Sequence, residues 1–172
     1  MKKTALLVID VQNGIFNIPD KPVADEQIVL KNINYLISRS REEGVPVIFV
    51  QHNSPKGILK YQTKAWEIHP DVVPFVSELR INKQYADSFQ DTTLRKQLDI
   101  LYIDTLIIAG LQTEYCVDTT CRRAYSLGFE VILASDAHST VDGVMSAKEI
   151  IMHHNDILGN GFAQVKESRD II

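Results

Sequence analysis

Three side chains in this sequence have types and positions suited to covalent chemistry. Cys116 lies six residues past Gly110 in the stretch AGLQTEYCVDTTCRRA. A cysteine where an apolar run gives way to a helix is either a buried small hydrophobe or a nucleophile beside the unpaired N–H groups of the first turn. Position alone leaves the two readings even. With Thr113 as the N-cap, Cys116 becomes the third helical residue, and the positive end of the helix dipole favours a thiolate there, below the usual thiol value of about 8.5. Asp10 follows five apolar residues, Ala5 to Ile9, and is a turn cap or an acid–base group. Lys83, in RINKQYADSF, reads by itself as a solvated lysine at the end of a short strand. Together the three supply a nucleophile, a proton acceptor and a fixed positive charge, the parts that covalent catalysis at a carbonyl carbon requires.

Elements of a definite kind must bring these residues together. TALLVIDV, PVIFVQ, DTLIIAGL and EVILAS are short β-branched apolar runs of the kind expected of parallel strands buried on both faces. ELRINK reads as another short strand and FAQV as a last one. Residues 25 to 43 place Val29, Ile33, Leu36 and Ile37 on one side of a 3.6-residue period, with Gly44 as the C-terminal stop. Residues 92 to 101, 114 to 127 (stopped by Gly128) and SAKEIIMHHNDIL read as further helices. The alternation predicts right-handed crossovers and one domain over residues 1–172, a three-layer α/β/α sandwich with a Rossmann-like, mostly parallel sheet of about six strands. In such sheets ligands bind beyond the carboxyl ends of the strands, where the strand order reverses. Asp10 and Cys116 follow the first and fourth strands, so this topology predicts that they meet. The segment between the second strand and ELRINK, residues 51 to 78, is long for a compact domain and reads as a lid, a specificity wall or a subunit contact.

Composition narrows the partners. Of 172 residues, 45% are hydrophobic and 23% charged, with a net charge of −4, and no block of like charge suggests a nucleic-acid footprint or a membrane-binding face. The expected partner is a small molecule, with no nucleic acid and no membrane. The start, MKKTALLVIDVQNG, has the lysines and apolar run of a leader, but Asp10 and Gln12 interrupt it and no cleavage site follows, so it reads as a buried strand of a cytoplasmic protein. Cys116 and Cys121, five apart, fit neither a redox CxxC pair nor a zinc pattern and are expected to be free thiols. Trp66 and Val72 to Phe75 make a homodimer or homotetramer the expected assembly.

LLVIDVQNGIF, the lysine in NKQYADSF, and AGLQTEYCVDTTCRRAYSLGFEVILASDA, taken together in this order, resemble the isochorismatase-like cysteine hydrolases, which include nicotinamidases and related amidases. The resemblance covers nearly the whole chain. It implies an Asp-Lys-Cys triad of Asp10, Lys83 and Cys116, in which Asp10 takes the thiol proton, Lys83 holds the thiolate and aligns the aspartate, and Cys116 attacks a small carboxamide or ureide to form a thioester. It further implies an oxyanion hole from the backbone N–H groups of Gln112 and Cys116, and a cis peptide bond between Leu111 and Gln112. No cofactor is implied.

The sequence also departs from these relatives. Nicotinamidases carry a metal site in which Asp-x-His follows the second strand. Here QHNSPKG supplies His52 with no aspartate two residues before it, and with His69 as the only other histidine of that segment, both read as polar rim residues and no metal is expected. The isochorismatases that name the family cleave a vinyl ether without a cysteine nucleophile, which Cys116 argues against. Phe16, Trp66 and Tyr115 are candidate pocket walls. Gln12 and Asn13 are read as shaping the loop after the first strand, and Asp136 and His138 as fixing a turn near the site. His153 and His154 read as surface or interface residues, and Cys121, about 140° around the helix from Cys116, as packing. The alternative function is a thiol redox sensor or non-catalytic small-molecule binder on the same fold. A flavodoxin-like nucleotide binder is disfavoured, because DVQNG stands where a GxGxxG turn would be.

Overall fold

A computed structural model describes residues 3–172; Met1 and Lys2, the start of the stretch weighed as a leader, lie outside the described residues. Five of the six residues of β1 (Thr4–Ile9) are buried, as an apolar run with neighbours on both sides and both faces must be. With β2 (Val47–His52), β3 (Leu79–Lys83), β4 (Thr105–Leu111), β5 (Glu130–Ser139) and β6 (Gln164–Lys166), it forms a six-stranded sheet in the order β3-β2-β1-β4-β5-β6. Every neighbouring pair is parallel. The order reverses between β1 and β4, as the Rossmann-like expectation required.

The pleat divides the sheet between two cores. Leu6 and Val8 of β1 join Val29, Ile33 and Leu36 of α2 (Glu26–Glu42) on one face. Ala5, Leu7 and Ile9 join the other face, with Leu94 and Leu98 of α3 (Leu94–Leu101), Cys121 and Ala124 of α4 (Asp118–Ser126) and Leu158 of α5 (Ala147–Gly159). Adjacent residues therefore serve opposite layers, the period of two that a strand imposes. A one-turn helix, α1 (Asn13–Phe16), follows β1. Ser146 begins α5 with a reciprocal capping box to Glu149, which satisfies two otherwise unpaired donors.

Two expectations about the elements need correction. β5 runs ten residues to Ser139, past the EVILAS run read as the strand, so Asp136 and His138 lie within it. The extension pairs Gly110 with His138 and Leu111 with Ser139 after a register shift. Cys116 does not open an α-helix: Thr113–Val117 form a π-helical turn ahead of α4, in which Val117 N–H reaches back five residues to the Gln112 carbonyl at 3.2 Å. Thr113 supplies no side-chain cap; its hydroxyl is committed to His138 instead.

Close approach at the strand ends makes one glycine necessary. Gly110 has φ 129°, and a Cβ there would lie 2.0 Å from the Ile9 carbonyl oxygen. No side chain fits that gap.

Candidate active site

Strand register alone brings most of the site together. Ile9 pairs with Val50 on one side and with Gly110 on the other, and His52 pairs with Lys83. The residues just beyond or at these positions, Asp10, His52, Lys83 and the turn after Leu111, therefore share the carboxyl edge of the sheet. Asp10 leaves β1 with φ 51°, a left-handed conformation that aspartate tolerates better than most residues. Its N–H donates to the Val50 carbonyl at 2.8 Å, and its own carbonyl accepts from Gln12 N–H at 2.8 Å. The chain thus turns at Asp10.

Lys83, read from sequence as a possible surface residue, has a fully buried side chain with Nζ 2.8 Å from Asp10 Oδ2. The ammonium also donates to the Tyr85 and Ala86 carbonyls at 3.1 and 3.4 Å, and lies 3.5 Å from His52 Nδ1. A buried cation needs such partners, since desolvating an unpaired charge costs several kcal/mol. Burial by itself would lower the lysine's pKa; Asp10, with the Cys116 sulfur second, outweighs it and holds the ammonium above its ordinary value. The Cys116 sulfur, a carboxylate oxygen of Asp10 and a ring nitrogen of His52 lie within 4.8 Å of one another.

The thiol is not the stabilised thiolate expected from a helix start. Burial first, and the Asp10 charge second, push it up to about 12, against the pull of Lys83. These two effects favour the protonated thiol over the thiolate. His52 is lowered by burial and by Lys83, so it is a neutral imidazole at the rim. Cys121 is fully buried among the residues behind α4, and its thiol is raised by burial.

A cavity of about 310 Å³ opens onto the sulfur, walled by Ile15, Ile18, Ile58, Leu59 and Tyr115, with Asp10, His52, Ala86 and Gln112 also lining it. Of the three aromatic residues considered as walls, Tyr115 lines this cavity. Phe16 is buried, with its ring 4.7 Å from that of His69, and Trp66 packs edge-on against Tyr61 at 4.8 Å. The Leu111–Gln112 bond is cis, as the resemblance implied. The N–H groups of Tyr115 and Val117 both turn onto the Gln112 carbonyl at 3.2 Å.

Two supporting residues carry more than their sequence context suggested. Gln12 is fully buried: its Nε2 donates to the His52 and Trp66 carbonyls at 3.0 and 2.8 Å, and its Oε1 accepts from His52 N–H at 2.8 Å. It clamps the long 51–78 segment onto the end of β1. A polar residue directly after a buried strand was the available signal. His138 is also buried, with Nδ1 2.9 Å from Thr113 Oγ1 and Nε2 2.9 Å from Asn155 Oδ1. Asn155 Nδ2 donates to the Ser135 carbonyl, which fixes the amide so that its oxygen faces the ring. Nε2 therefore carries the hydrogen and Nδ1 accepts from Thr113, the residue that begins the cysteine turn. Burial pushes His138 down to about 4, consistent with this neutral tautomer. Asp136 accepts from Asn32, from the Ser168 N–H and from the Ser168 hydroxyl, tying β5 to α2 and the C-terminal turn.

His69 is not part of the Asp10, His52 and Cys116 cluster, and its Nδ1 accepts from Asp71 N–H at 3.3 Å. Among the described residues, the one cluster of metal-ligand types is Asp10, His52 and Cys116, and the Lys83 ammonium occupies the space beside two of its members. That cation makes the donor set a poor fit for a resident metal.

The Isochorismatase domain family matches residues 4–158. Streptothricin hydrolase of Streptomyces noursei is 36% identical over 139 residues, covering 80% of this chain and 50% of that protein; the match thus spans half of that relative's length. Nicotinamidase 3 of Arabidopsis thaliana is 29% identical over 155 residues, covering 81% of this chain and 74% of that one. A crystal structure of an isochorismatase family protein superposes with a TM-score of 0.91 at 34% identity, covering 97% of this chain and 99% of the other. A family match across most of the chain, on a sheet whose carboxyl edge gathers Asp10, Lys83 and Cys116, places this chain in the isochorismatase family of hydrolases.

Proposed function

We propose that the protein is a cysteine amidohydrolase that cleaves a small carboxamide or ureide through a thioester on Cys116. The observation that carries this reading is the buried Asp10–Lys83 pair at 2.8 Å beside the Cys116 sulfur. A protonated thiol next to a carboxylate calls for general base assistance. As Cys116 attacks the carbonyl carbon, its proton passes to Asp10, and the Lys83 ammonium offsets the negative charge gathering on sulfur. The Gln112 and Cys116 N–H groups are assigned to the oxyanion, where one such donor is worth about 2.7 to 4 kcal/mol. Collapse of the tetrahedral intermediate breaks the C–N bond, and Asp10 returns the proton to the departing ammonia or amine. The same carboxylate then takes a proton from water, whose oxygen attacks the thioester and releases the acid and the free thiol.

The cavity's size and apolar walls suit a small uncharged substrate. A redox sensor fits less well, because sensing cysteines are low-pKa thiolates, whereas this thiol is pushed up to about 12. A nicotinamidase that depends on its metal is also disfavoured: Val50 stands two residues before His52, and Lys83 crowds the remaining donors. The test is ammonia release over a panel of small amides and ureides, with and without a chelator. Release from at least one member is expected. Uniform inactivity toward amides and ureides, with release of product from a vinyl ether instead, would overturn the proposal.

A further inference from the structure

A second cavity, of about 490 Å³, lies beside the catalytic one and shares Ile18 and Ile58 with it. Its other walls include Gly14, Pro19, Lys64 and Ala65. The two compartments therefore share the two isoleucines as a common wall, the sill between them. One side of the outer compartment is α1 and the residues after it; the other is the long segment following β2. These sides are stitched together at the back: Gly14 N–H donates to the Ala65 carbonyl at 2.7 Å, Asn13 N–H to the Glu67 carbonyl at 2.9 Å, and Asn13 Nδ2 to the Lys64 carbonyl at 3.0 Å. The space is thus framed by fixed backbone.

The amide N–H groups of its two asparagines are already engaged. Asn13 Nδ2 is committed to Lys64, and Asn17 Nδ2 donates to the Asn13 carbonyl at 2.8 Å. Lys64 is exposed. What remains for an occupant is largely hydrocarbon, and across the shared isoleucines the inner cavity presents Ile15 and Leu59 near the sulfur. Ile58, more than half exposed without an occupant, is the apolar side chain that a ligand crossing the sill would cover.

We infer that the outer compartment is a substrate subsite, and that the amide cleaved at Cys116 carries an apolar extension of several carbons that passes between Ile18 and Ile58 and lodges against Pro19 and Ala65. The inference rests on the amidohydrolase reading for the identity of the reacting group. The geometry of the two compartments does not depend on it. A small unsubstituted amide would fill the inner cavity alone and leave the apolar passage unused.

The probe is a series of N-alkyl iodoacetamides, methyl to octyl, each reacting with the Cys116 thiol in the intact protein. Labelling is followed by peptide mass spectrometry and divided by the rate with free glutathione. The rate should rise with chain length by up to roughly fourfold per methylene once the chain crosses the sill, and should stop rising when the outer compartment is full. Ile58→Asp, a change at an exposed position, should flatten the dependence, reducing the octyl-to-methyl ratio at least about tenfold. Ala65→Leu should shorten the chain length at which the rise stops. A flat dependence in the unmodified protein, or an unchanged slope in Ile58→Asp, overturns the subsite. Because alkylation needs no hydrolysis, a steep slope with no amide cleaved would keep the subsite and remove the reaction. Amide cleavage with a flat slope would do the reverse.

Discussion

Asp10 and Lys83 act on the same sulfur with opposite sign, and that opposition separates a thiol that merely ionises from one that is deprotonated during catalysis. The Asp10 charge raises the Cys116 thiol and the Lys83 charge lowers it. Asp10→Asn should therefore lower the thiol's pKa and speed alkylation of Cys116 at pH 9, while abolishing hydrolysis because the proton acceptor is gone. Lys83→Met should slow alkylation and also abolish hydrolysis. Thiolate ultraviolet absorbance against pH, with alkylation rates, checks both. Alkylation shifting the same way in both variants, or turnover surviving in Asp10→Asn, would contradict the assigned roles. In both variants Cys121, fully buried, should remain far slower to react than Cys116. A second residue-scale outcome concerns His138. Its folded pKa, about 4, lies below its ordinary 6.5, so the folded state binds fewer protons than the unfolded state between those values. Stability contributed by the neutral ring is present above pH 6.5 and is lost as pH falls through 4, by about 3 kcal/mol. Denaturant melts from pH 7.5 to 4 should show this loss in the natural protein and a smaller one in His138→Gln. Equal pH dependence would mean that His138 is not the neutral buried group linking Thr113 to Asn155.

At the scale of elements, the site depends on how one loop is fastened. Gln12 joins the end of β1 to His52 and Trp66 through three hydrogen bonds from a side chain with no exposure. Gln12→Leu removes all three, and although Gln51 Nε2 still donates to the Trp66 carbonyl, the His52 N–H loses its side-chain acceptor, which should cost about 1 to 3 kcal/mol and speed proteolysis within residues 54 to 66. Limited proteolysis and a denaturant melt check this, and unchanged cleavage would show that other contacts hold the segment. Strands and helices were legible because their signals are local and repeated: the apolar runs of β1, β2 and β4 and the periodic Val29, Ile33 and Leu36 each mark one element. Asp10 and Cys116 were legible because strand ends mark the ligand edge of such a sheet. The π turn was not, since its Val117-to-Gln112 bond depends on where β4 stops and on Thr113 turning to His138. The length of β5 was hidden for a related reason: SDAHS is polar, and it is held in the sheet by partners distant in sequence, such as Asn32 and Ser168. Nor could sequence show the thiol's raised pKa, which comes from burial by residues of several elements.

Across the whole molecule, the proposed chemistry uses groups that the chain itself supplies. Treatment with chelator should leave ammonia release within about twofold of the untreated rate, because the Lys83 ammonium stands beside the carboxylate and imidazole that a metal would need. Loss of activity that zinc restores would show that His52 serves a metal after all. No helix among the described residues is long and apolar enough to cross a membrane, and the two cores on either side of the sheet account for the large apolar side chains that position the site. The claim to which everything else is attached is that Cys116 is the nucleophile. Steady-state ammonia release by Cys116→Ala, on the best substrate of the amide panel and with the melt recorded on the same sample, tests it most directly. A fall on the order of 10³-fold or more is expected, with the fold retained. Turnover comparable to the unmodified protein in a folded Cys116→Ala variant would contradict it.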